Sequence, residues 1–352
     1  MKTVLLTGST GSLGKLLLRE LHVRDDLRLI LFVRGASDAD ARARIEQFIA
    51  LPDRTEIYAA DLHEPNLALS DQRYRDLAGR VTHILHSAAS TRFNSSLEEA
   101  RTNNVATTEH MLTFAKNCSS LARFGYLSTA MVAGKRMGLI NEDELEHDKG
   151  FNNTYQQSKY EAEKLVHASG LPIVVLRPPL VYSPGEENMS GNLTNFLTRL
   201  VQLVVSGKIP FVPGTPESTM DIVSAADAAR VICQIFVKEP LEHLTYHVTN
   251  GADCLTVDTF HKIMEEEKGS SIPIEYLGDG DEGMRRVHEK AQTNPEWKVV
   301  YQRTESFLSE PGYPKVFDNA HLLRELRISK LGENSADTLR LAVHNAIWPS
   351  ST

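Results

Sequence analysis

Short apolar runs alternate with segments of helical periodicity over about the first 180 residues of the chain. The helical segments repeat apolar residues three and four positions apart, as in Leu13–Leu21 and Val105–Lys116. Strands that alternate with helices predict a parallel sheet joined by right-handed crossovers. The apolar runs predict strands at Val4–Thr7, Leu27–Val33, Glu56–Ala60, Val81–His86, Phe124–Leu127 and Ile173–Leu176.

The continuous apolar run Leu29–Val33 is typical of a strand that helices cover on both faces. The predicted fold class is therefore α/β, a doubly wound parallel sheet of the Rossmann type, with a smaller mixed C-terminal lobe. The alternation breaks after Val181. We expect a nucleotide-binding domain at 1–182, to which segments near 220–250 return, and a lobe that binds the substrate, made of 183–219 and 251–352.

Composition narrows the class of protein. Of 352 residues, 41% are hydrophobic and 24% charged, which is typical of a soluble globular protein. The net charge of -8 argues against general nucleic-acid binding. No apolar run approaches the roughly 18–20 residues of a membrane span. Three dispersed cysteines and the absence of a secretory signal predict a cytoplasmic protein, with neither a disulfide framework nor a metal site.

A glycine-rich loop, Thr7-Gly-Ser-Thr-Gly-Ser-Leu-Gly14, lies between the first predicted strand and the first predicted helix. The first glycine permits a tight turn, the second lets the backbone approach a pyrophosphate, and the third lets the helix pack on the sheet. Free N–H groups at the helix start then face the anion. A plain structural turn is the alternative. The residues expected to bind a dinucleotide are Gly8, Thr10, Gly11, Ser12, Leu13 and Gly14.

Arg34 ends the second predicted strand, 20 residues after Gly14. A carboxylate at this place binds the 2′-hydroxyl of NAD, whereas an arginine accommodates the 2′-phosphate of NADP. The sequence therefore predicts NADP(H), the alternative being a solvated arginine at a strand end.

Two further strand ends lie where a dinucleotide would pass. Asp61 and Leu62 end the third strand, and the aspartate either bonds the adenine amino group or caps a loop. Small residues follow the fourth strand and would let a cofactor lie against the backbone; these are Ser87, Ala88 and Ala89.

Tyr155 and Lys159 are four residues apart in a predicted helix, so their side chains share a face. An ammonium beside a phenol lowers the tyrosine pKa, which would allow proton transfer near neutral pH. Ser128 and Thr129 end the fifth strand, and either hydroxyl could hold a substrate oxygen against Tyr155.

These pieces, in this order and spacing, resemble the extended short-chain dehydrogenase/reductase family over about the first 230 residues. Within it the chain is most similar to the thioester-reductase and fatty acyl-CoA reductase branch, the male-sterility-type NAD-binding proteins. The residues that carry the resemblance are the glycine loop, Phe32-Val-Arg34, Asp61-Leu62, His86-Ser-Ala-Ala89, Asn104, Ser128-Thr129, Asn153–Glu163 and Leu176-Arg-Pro178.

The resemblance implies roles for these residues. Tyr155 would be the general acid of a reduction, and Lys159 would bind the nicotinamide ribose and depress the tyrosine pKa. Thr129, or less favourably Ser128, would hydrogen-bond the substrate carbonyl.

Two more roles follow from the same resemblance. Asn104 would orient the active-site helix and its water, although Asn103 beside it leaves that assignment open by one residue. Arg177 and Pro178 would line the nicotinamide pocket. The chain departs from the family at 104–108. The family often has Asn-Val-x-Gly-Thr, and here the sequence is Asn-Val-Ala-Thr-Thr, with Thr107 in place of the glycine.

The predicted function is NADPH-dependent reduction of a carbonyl in a small molecule: an acyl thioester, an aldehyde or a ketone. The acyl group could be carried on coenzyme A or on a carrier protein. The alternatives are a nucleotide-sugar epimerase or dehydratase with bound NAD, and a non-catalytic NADP-binding sensor. The oligomeric state, monomer or homodimer, stays open.

Overall fold

The computed structural model describes residues 1–52, 54–182, 192–332 and 335–348, without the side chains of 192–196. The strands of these residues are β1 Lys2–Thr7, β2 Leu27–Val33, β3 Thr55–Ala59, β4 His83–His86, β5 Arg123–Leu127, β6 Gly138–Ile140, β7 Ile173–Arg177, β8 Leu180–Tyr182, β9 Phe211–Val212, β10 Thr219–Met220, β11 Ile222–Ser224, β12 Thr245–His247, β13 Leu255–Thr256, β14 Glu275–Tyr276 and β15 Lys315–Phe317.

Helices follow most of the strands. The α-helices are α1 Ser12–His22, α2 Asp38–Glu46, α3 Asp71–Arg80, α4 Leu97–Arg101, α5 Thr107–Asn117, α6 Thr154–His167, α7 Asn192–Val205, α8 Ala225–Val237, α9 Val257–Lys268, α10 Gly280–Thr293, α11 Pro295–Leu308, α12 Ala320–Leu326 and α13 Ser335–Ile347. A π-helical turn, Thr102–Ala106, joins α4 to α5. Short 3₁₀ turns lie at Ala130–Ala133, Gly251–Asp253 and Glu310–Gly312.

The central sheet has seven parallel strands in the order β12-β7-β5-β4-β1-β2-β3. The strand order reverses beside β1, where Thr7 stands opposite Phe32 of β2 and His86 of β4. Ligands of doubly wound sheets bind outside the carboxyl ends of the strands at such a reversal. The predicted α/β fold of the Rossmann type is confirmed. The strand predicted at Leu27–Val33 begins and ends at the same residues as the observed β2.

Helices cover both faces of the sheet, as the apolar strands predict. In β1, Val4 and Leu6 pack into one core cluster with α1 and α8, while Leu5 between them packs into the other with α3, α5 and α6. Because successive side chains of a strand point to opposite faces, one apolar run supplies both cores.

The C-terminal half builds a third apolar core from α7, α9, α11 and α13, with Trp297 as its largest buried side chain. Part of the segment expected to form only the lobe packs against the nucleotide-binding half, without adding a strand to the central sheet. β15 pairs with β6, and Leu322 and Leu331 pack into the cluster that contains α1 and α8. In the described ranges, no helix combines the length and the apolar character that crossing a membrane requires.

Candidate active site

A cleft of about 650 Å³ opens at the carboxyl ends of the sheet strands, beside the reversal of strand order. The sequence-predicted site residues that line it are Gly8, Thr10, Gly11, Ser12, Leu13, Gly14, Arg34, Asp61, Leu62, Ser87, Ala88, Ala89, Ser128, Thr129, Tyr155, Lys159 and Pro178. Residues as far apart in the sequence as Gly8 and Pro178 therefore share one cleft. Asn104 and Arg177 are not part of its lining.

The glycine loop leaves room for a ligand. A Cβ on Gly14 would lie 1.9 Å from the Gly8 carbonyl oxygen, so the packing of α1 on the loop demands that glycine. A Cβ on Gly11 would meet only that same oxygen, at 3.4 Å, so contact within the chain does not demand it. Gly11 caps α1 without a side-chain hydrogen bond, which leaves the first amides of the helix available to an anion. A dinucleotide pyrophosphate fits this cradle.

Two arginines stand at the far end of the same cleft. Arg34 follows β2, and Arg44 of α2 donates a hydrogen bond from its guanidinium to the Arg34 carbonyl oxygen. Sequence reasoning missed Arg44, because it lies ten residues further on and only the packing of α2 brings it to the strand end. Two neighbouring guanidinium groups suit a phosphate better than a hydroxyl.

The Asp61 carboxylate accepts hydrogen bonds from the His63 backbone N–H at 3.0 Å and ring at 2.9 Å. These hydrogen bonds lower the Asp61 pKa, and the bond from the backbone N–H has the larger effect. They correspond to the loop-capping alternative, although Asp61 also lines the cleft.

Tyr155 lies in the first turn of α6, which begins at Asn153 because that side chain accepts a hydrogen bond from the Gln156 amide. Its ring is buried, 5.5 Å from the Phe93 ring. Burial raises the Tyr155 pKa to about 12, against an opposing interaction with the Thr129 hydroxyl. The phenol therefore keeps its proton at neutral pH and can act as a proton donor.

Lys159 lies in the same helix as Tyr155, and its hydrogen bonds go to the end of β5. Its buried Nζ donates to the Tyr126 hydroxyl at 2.7 Å and to the Leu127 carbonyl at 2.8 Å. Burial lowers the Lys159 pKa to about 7, opposed by the charge of Glu163. The effect of Lys159 on the Tyr155 pKa stays a prediction; in this structure burial is the largest influence on the pKa of both groups.

Ser128 and Thr129 have different surroundings. The Ser128 hydroxyl donates to Glu163, whereas the Thr129 hydroxyl donates to the Pro178 carbonyl at 3.2 Å and interacts with Tyr155. The geometry favours Thr129 as the partner of Tyr155, because its hydroxyl interacts with Tyr155 and its own bond is to a neutral carbonyl, whereas Ser128 is held by a buried carboxylate.

Asn104 is buried in the π-helical turn and joins two elements. Its side-chain amide donates to the Ser90 carbonyl at 3.0 Å and to the Ser158 hydroxyl of α6 at 2.9 Å, and its oxygen accepts from the Ser90 amide at 2.7 Å. It holds the loop after β4 against α6 without reaching the cleft. Asn103 is the neighbour that lines the cleft.

Arg177 corrects an expectation. Its buried guanidinium forms an ion pair with Glu163 and donates to the Glu142 carbonyl at 3.1 Å and the Glu144 carbonyl at 3.0 Å. Burial raises the Glu163 pKa, but the charge and hydrogen bonds of Arg177, together with hydrogen bonds from His167 and Ser128, outweigh it and lower the pKa to about 2. Because all of these contacts lie behind the cleft, Pro178 and Pro179 line it in place of Arg177.

A second cleft, of about 460 Å³, lies on the other side of the Phe93–Tyr155 contact. Its walls come from the loops around 135 and 151–154 and from residues 281–313 of the C-terminal half. Aromatic and apolar side chains alternate there with charged ones. The lining includes Phe93, Lys135, Phe151, Asp281, Met284, Arg285, His288, Tyr301, Glu305 and Tyr313. Sequence reasoning did not find this site, because no contiguous motif encodes it.

Comparison with known families identifies the chain. The profile of an NAD-binding family described as Male sterility protein matches residues 6–232. The chain belongs to this family. The match covers the glycine loop, Arg34, Ser128, Thr129 and all of α6. This is the part of the chain that resembled the extended short-chain dehydrogenases/reductases.

Relatives in this family are longer proteins. The isonitrile lipopeptide synthase of Mycobacterium tuberculosis is 28% identical over 98% of this chain, which corresponds to 15% of that protein. The human fatty acyl-CoA reductase 2 is 24% identical over 71% of this chain and 58% of its own length. The chain spans from 13% to 58% of the length of the first five curated relatives.

Two solved reductase domains have the same fold. The terminal R domain of the myxalamid PKS-NRPS pathway superposes with a TM-score of 0.77 at 24% identity, over 99% of this chain and 90% of that one. The R domain of a nonribosomal peptide synthetase from Mycobacterium tuberculosis has a TM-score of 0.71 at 25% identity, over 98% and 91%.

Proposed function

We propose that this protein is an NADPH-dependent reductase of a carbonyl, with an acyl thioester as the leading substrate and an aldehyde or ketone as the alternatives. The observation that carries the proposal is the pairing of Tyr155 and Thr129 hydroxyls at one wall of a cleft whose opposite end holds a dinucleotide cradle. The male-sterility family and its reductase relatives support the same reaction class.

The residues fit NADP(H) along the whole cleft. The amides at the start of α1 would hold the pyrophosphate, Arg34 and Arg44 the 2′-phosphate, and Lys159 the nicotinamide ribose. The cofactor, when bound, supplies the hydride.

The side chains supply the proton and hold the oxygen. Negative charge grows on the carbonyl oxygen as hydride reaches the carbon. Tyr155 would donate a hydrogen bond to it, and so would Thr129 once its hydroxyl turns from the Pro178 carbonyl. Tyr155 would transfer its proton, which its raised pKa keeps in place until that charge develops. For a thioester, one hydride and one proton give an aldehyde and a free thiol as the carbon–sulfur bond breaks.

The second cleft supports an acyl substrate. Phe93 lines it and lies 5.5 Å from the Tyr155 ring, and the aromatic and apolar side chains of the cleft offer contact to an acyl group. Its basic residues Lys135, Arg285 and His288 could face the phosphates of coenzyme A or of a carrier-bound arm, at the other side of the carbonyl.

The test is NADPH oxidation against a panel of acyl-CoAs, aldehydes, ketones and nucleotide sugars, repeated with NADH. We expect turnover with at least one thioester or aldehyde and a lower KM for NADPH than for NADH. A clear preference for NADH would contradict the cofactor assignment.

Two outcomes would replace the proposal. Conversion of a nucleotide sugar without net NADPH consumption would identify an epimerase or dehydratase with bound NAD. Tight NADPH binding without turnover of any substrate would identify a sensor, although a sensor has no need of a buried proton donor.

A further inference from the structure

Tyr126 lies beneath the cleft and belongs to none of the motifs discussed above. We propose that Tyr126 is a positioning residue for Lys159: its hydroxyl is fixed as a hydrogen-bond acceptor and keeps the Lys159 ammonium charged and in place beside the cleft. The inference rests on the proposed function, in which Lys159 binds the cofactor ribose.

The Lys159 ammonium has two acceptors, both at the end of β5. They are the Tyr126 hydroxyl at 2.7 Å and the Leu127 carbonyl at 2.8 Å, and the Nζ also lies 4.1 Å from the centre of the Tyr126 ring. An ammonium carries three N–H donors. Two are therefore used within the chain, and one remains for a ligand in the cleft that Lys159 lines.

A buried chain of hydrogen bonds fixes the direction of the protons behind Tyr126. The Thr7 hydroxyl accepts the amides of Ser87 and Ala88, each at 3.2 Å, so its own proton goes to Nδ1 of His86 at 2.9 Å. His86 then carries its proton on Nε2, which lies 3.3 Å from the Thr108 hydroxyl. Burial, and then the charge of Lys159, lowers the His86 pKa to about 3, so the ring is neutral.

The chain ends at Thr108, which neighbours the Tyr126 hydroxyl. The Thr108 hydroxyl donates to the Asn104 carbonyl at 2.7 Å, so it has no proton to give to Tyr126. The phenol therefore bears only its own proton, and its oxygen accepts from the Lys159 ammonium, which can only donate. Burial raises the Tyr126 pKa, so this proton stays in place. The lone pairs of the Tyr126 oxygen are left for Lys159, and an acceptor at this point favours the charged ammonium.

Two opposing effects act on the charge of Lys159. Burial lowers its pKa to about 7; Glu163 on the same helix opposes that, and the neutral groups Tyr155, Tyr126 and His86 surround it. The ammonium is present below this pKa and is lost as the pH rises through it. Removal of an acceptor lowers the pKa further, so the charge is lost at a lower pH.

The variant Tyr126→Phe removes the acceptor and keeps the ring. The matched control is Tyr246→Phe, because Tyr246 is a buried tyrosine of the same sheet whose hydroxyl donates to Glu325 at 2.6 Å, away from Lys159. The pH dependence of Lys159 acetylation by acetic anhydride, followed by mass spectrometry on the ligand-free protein, reports the Lys159 pKa directly. The alkaline limb of NADPH-dependent turnover provides the second readout.

We expect both midpoints to fall by about one pH unit in Tyr126→Phe, as the loss of one hydrogen bond to a charged group implies, and to stay unchanged in Tyr246→Phe. A folded Tyr126→Phe with the wild-type acetylation midpoint would overturn the proposal. If Tyr126→Phe fails to fold, Thr108→Val decides, with a smaller shift in the same direction expected and no shift overturning the role. Absence of turnover in the wild type would defeat the proposed function alone, since the acetylation midpoint is measured without substrate.

Discussion

The two clefts on either side of the Tyr155–Phe93 contact are built in different ways. The cleft on the nucleotide side is made of backbone, glycines and short side chains at strand ends, and its contributions come from short contiguous motifs. The cleft on the other side is made of long side chains from two loops and from the C-terminal helices α10 and α11. In the proposed function, cofactor binding is thus a property of the doubly wound sheet, and substrate choice is a property of residues that the sheet does not position.

This difference implies separable effects of mutation. Changes on the nucleotide side should alter cofactor affinity and leave substrate preference unchanged, while changes on the other side should do the reverse. Tyr155 lines the nucleotide-side cleft and contacts Phe93 of the second one, so its substitution should lower turnover and change neither affinity strongly.

The largest effect is expected for Tyr155→Phe. Loss of the proton donor should reduce kcat by about 10²-fold or more with little change in NADPH affinity, because the ring and its packing on Phe93 remain. Tyr160→Phe is the matched control, since that hydroxyl bonds Glu146 at 2.8 Å and lies outside the nucleotide cleft. Near-normal turnover of Tyr155→Phe in single-turnover kinetics would reject the role.

Two glycine substitutions separate binding from folding on the nucleotide side. Gly11→Ala should raise the Kd for NADPH at least about tenfold in fluorescence titration while the melting temperature stays near that of the wild type, because the added Cβ fills the space of the ligand. Gly14→Ala should instead destabilise the fold by roughly 1–3 kcal/mol, because its Cβ would overlap the Gly8 carbonyl. Equal effects of both on stability would argue against a cradle at Gly11.

The arginine pair tests cofactor choice. Arg34→Ala and Arg44→Ala should each raise the KM for NADPH roughly 10- to 100-fold, as expected for a lost charged hydrogen bond, and leave the KM for NADH unchanged. Arg42→Ala controls for a lost charge on the same helix, since Arg42 pairs with Glu46 at 3.4 Å. If the two cofactors are affected alike, the 2′-phosphate is not bound there.

The smallest effect is expected in the second cleft. Met284→Ala should change kcat/KM among acyl substrates of different length by about threefold to tenfold, without a change in the KM for NADPH, because it removes apolar contact only. Met137→Ala, at a half-exposed methionine outside both clefts, is the control. An altered KM for NADPH in Met284→Ala would show that the two clefts are not separable.

The same difference explains how much could be predicted from sequence. The period of apolar residues was sufficient for the central sheet, and the glycine loop, Arg34 and the Tyr155–Lys159 pair were recognisable because each lies within a short segment. Arg44, Tyr126 and the second cleft were missed, since tertiary packing alone brings them to the site. Arg177 was misplaced because a buried arginine that pairs with Glu163 has the same sequence context as one that faces a ligand.

Direct hydride transfer to a carbonyl carbon is the central claim, and one labelling experiment tests it. The protein is incubated with an acyl thioester that it turns over and with NADPH deuterated at the transferable position, and the product is examined by mass spectrometry. The account predicts one deuterium on the former carbonyl carbon for each NADPH oxidised, and a rate that falls about 10²-fold in Tyr155→Phe. A product without deuterium, or NADPH that is bound and never oxidised, would contradict it.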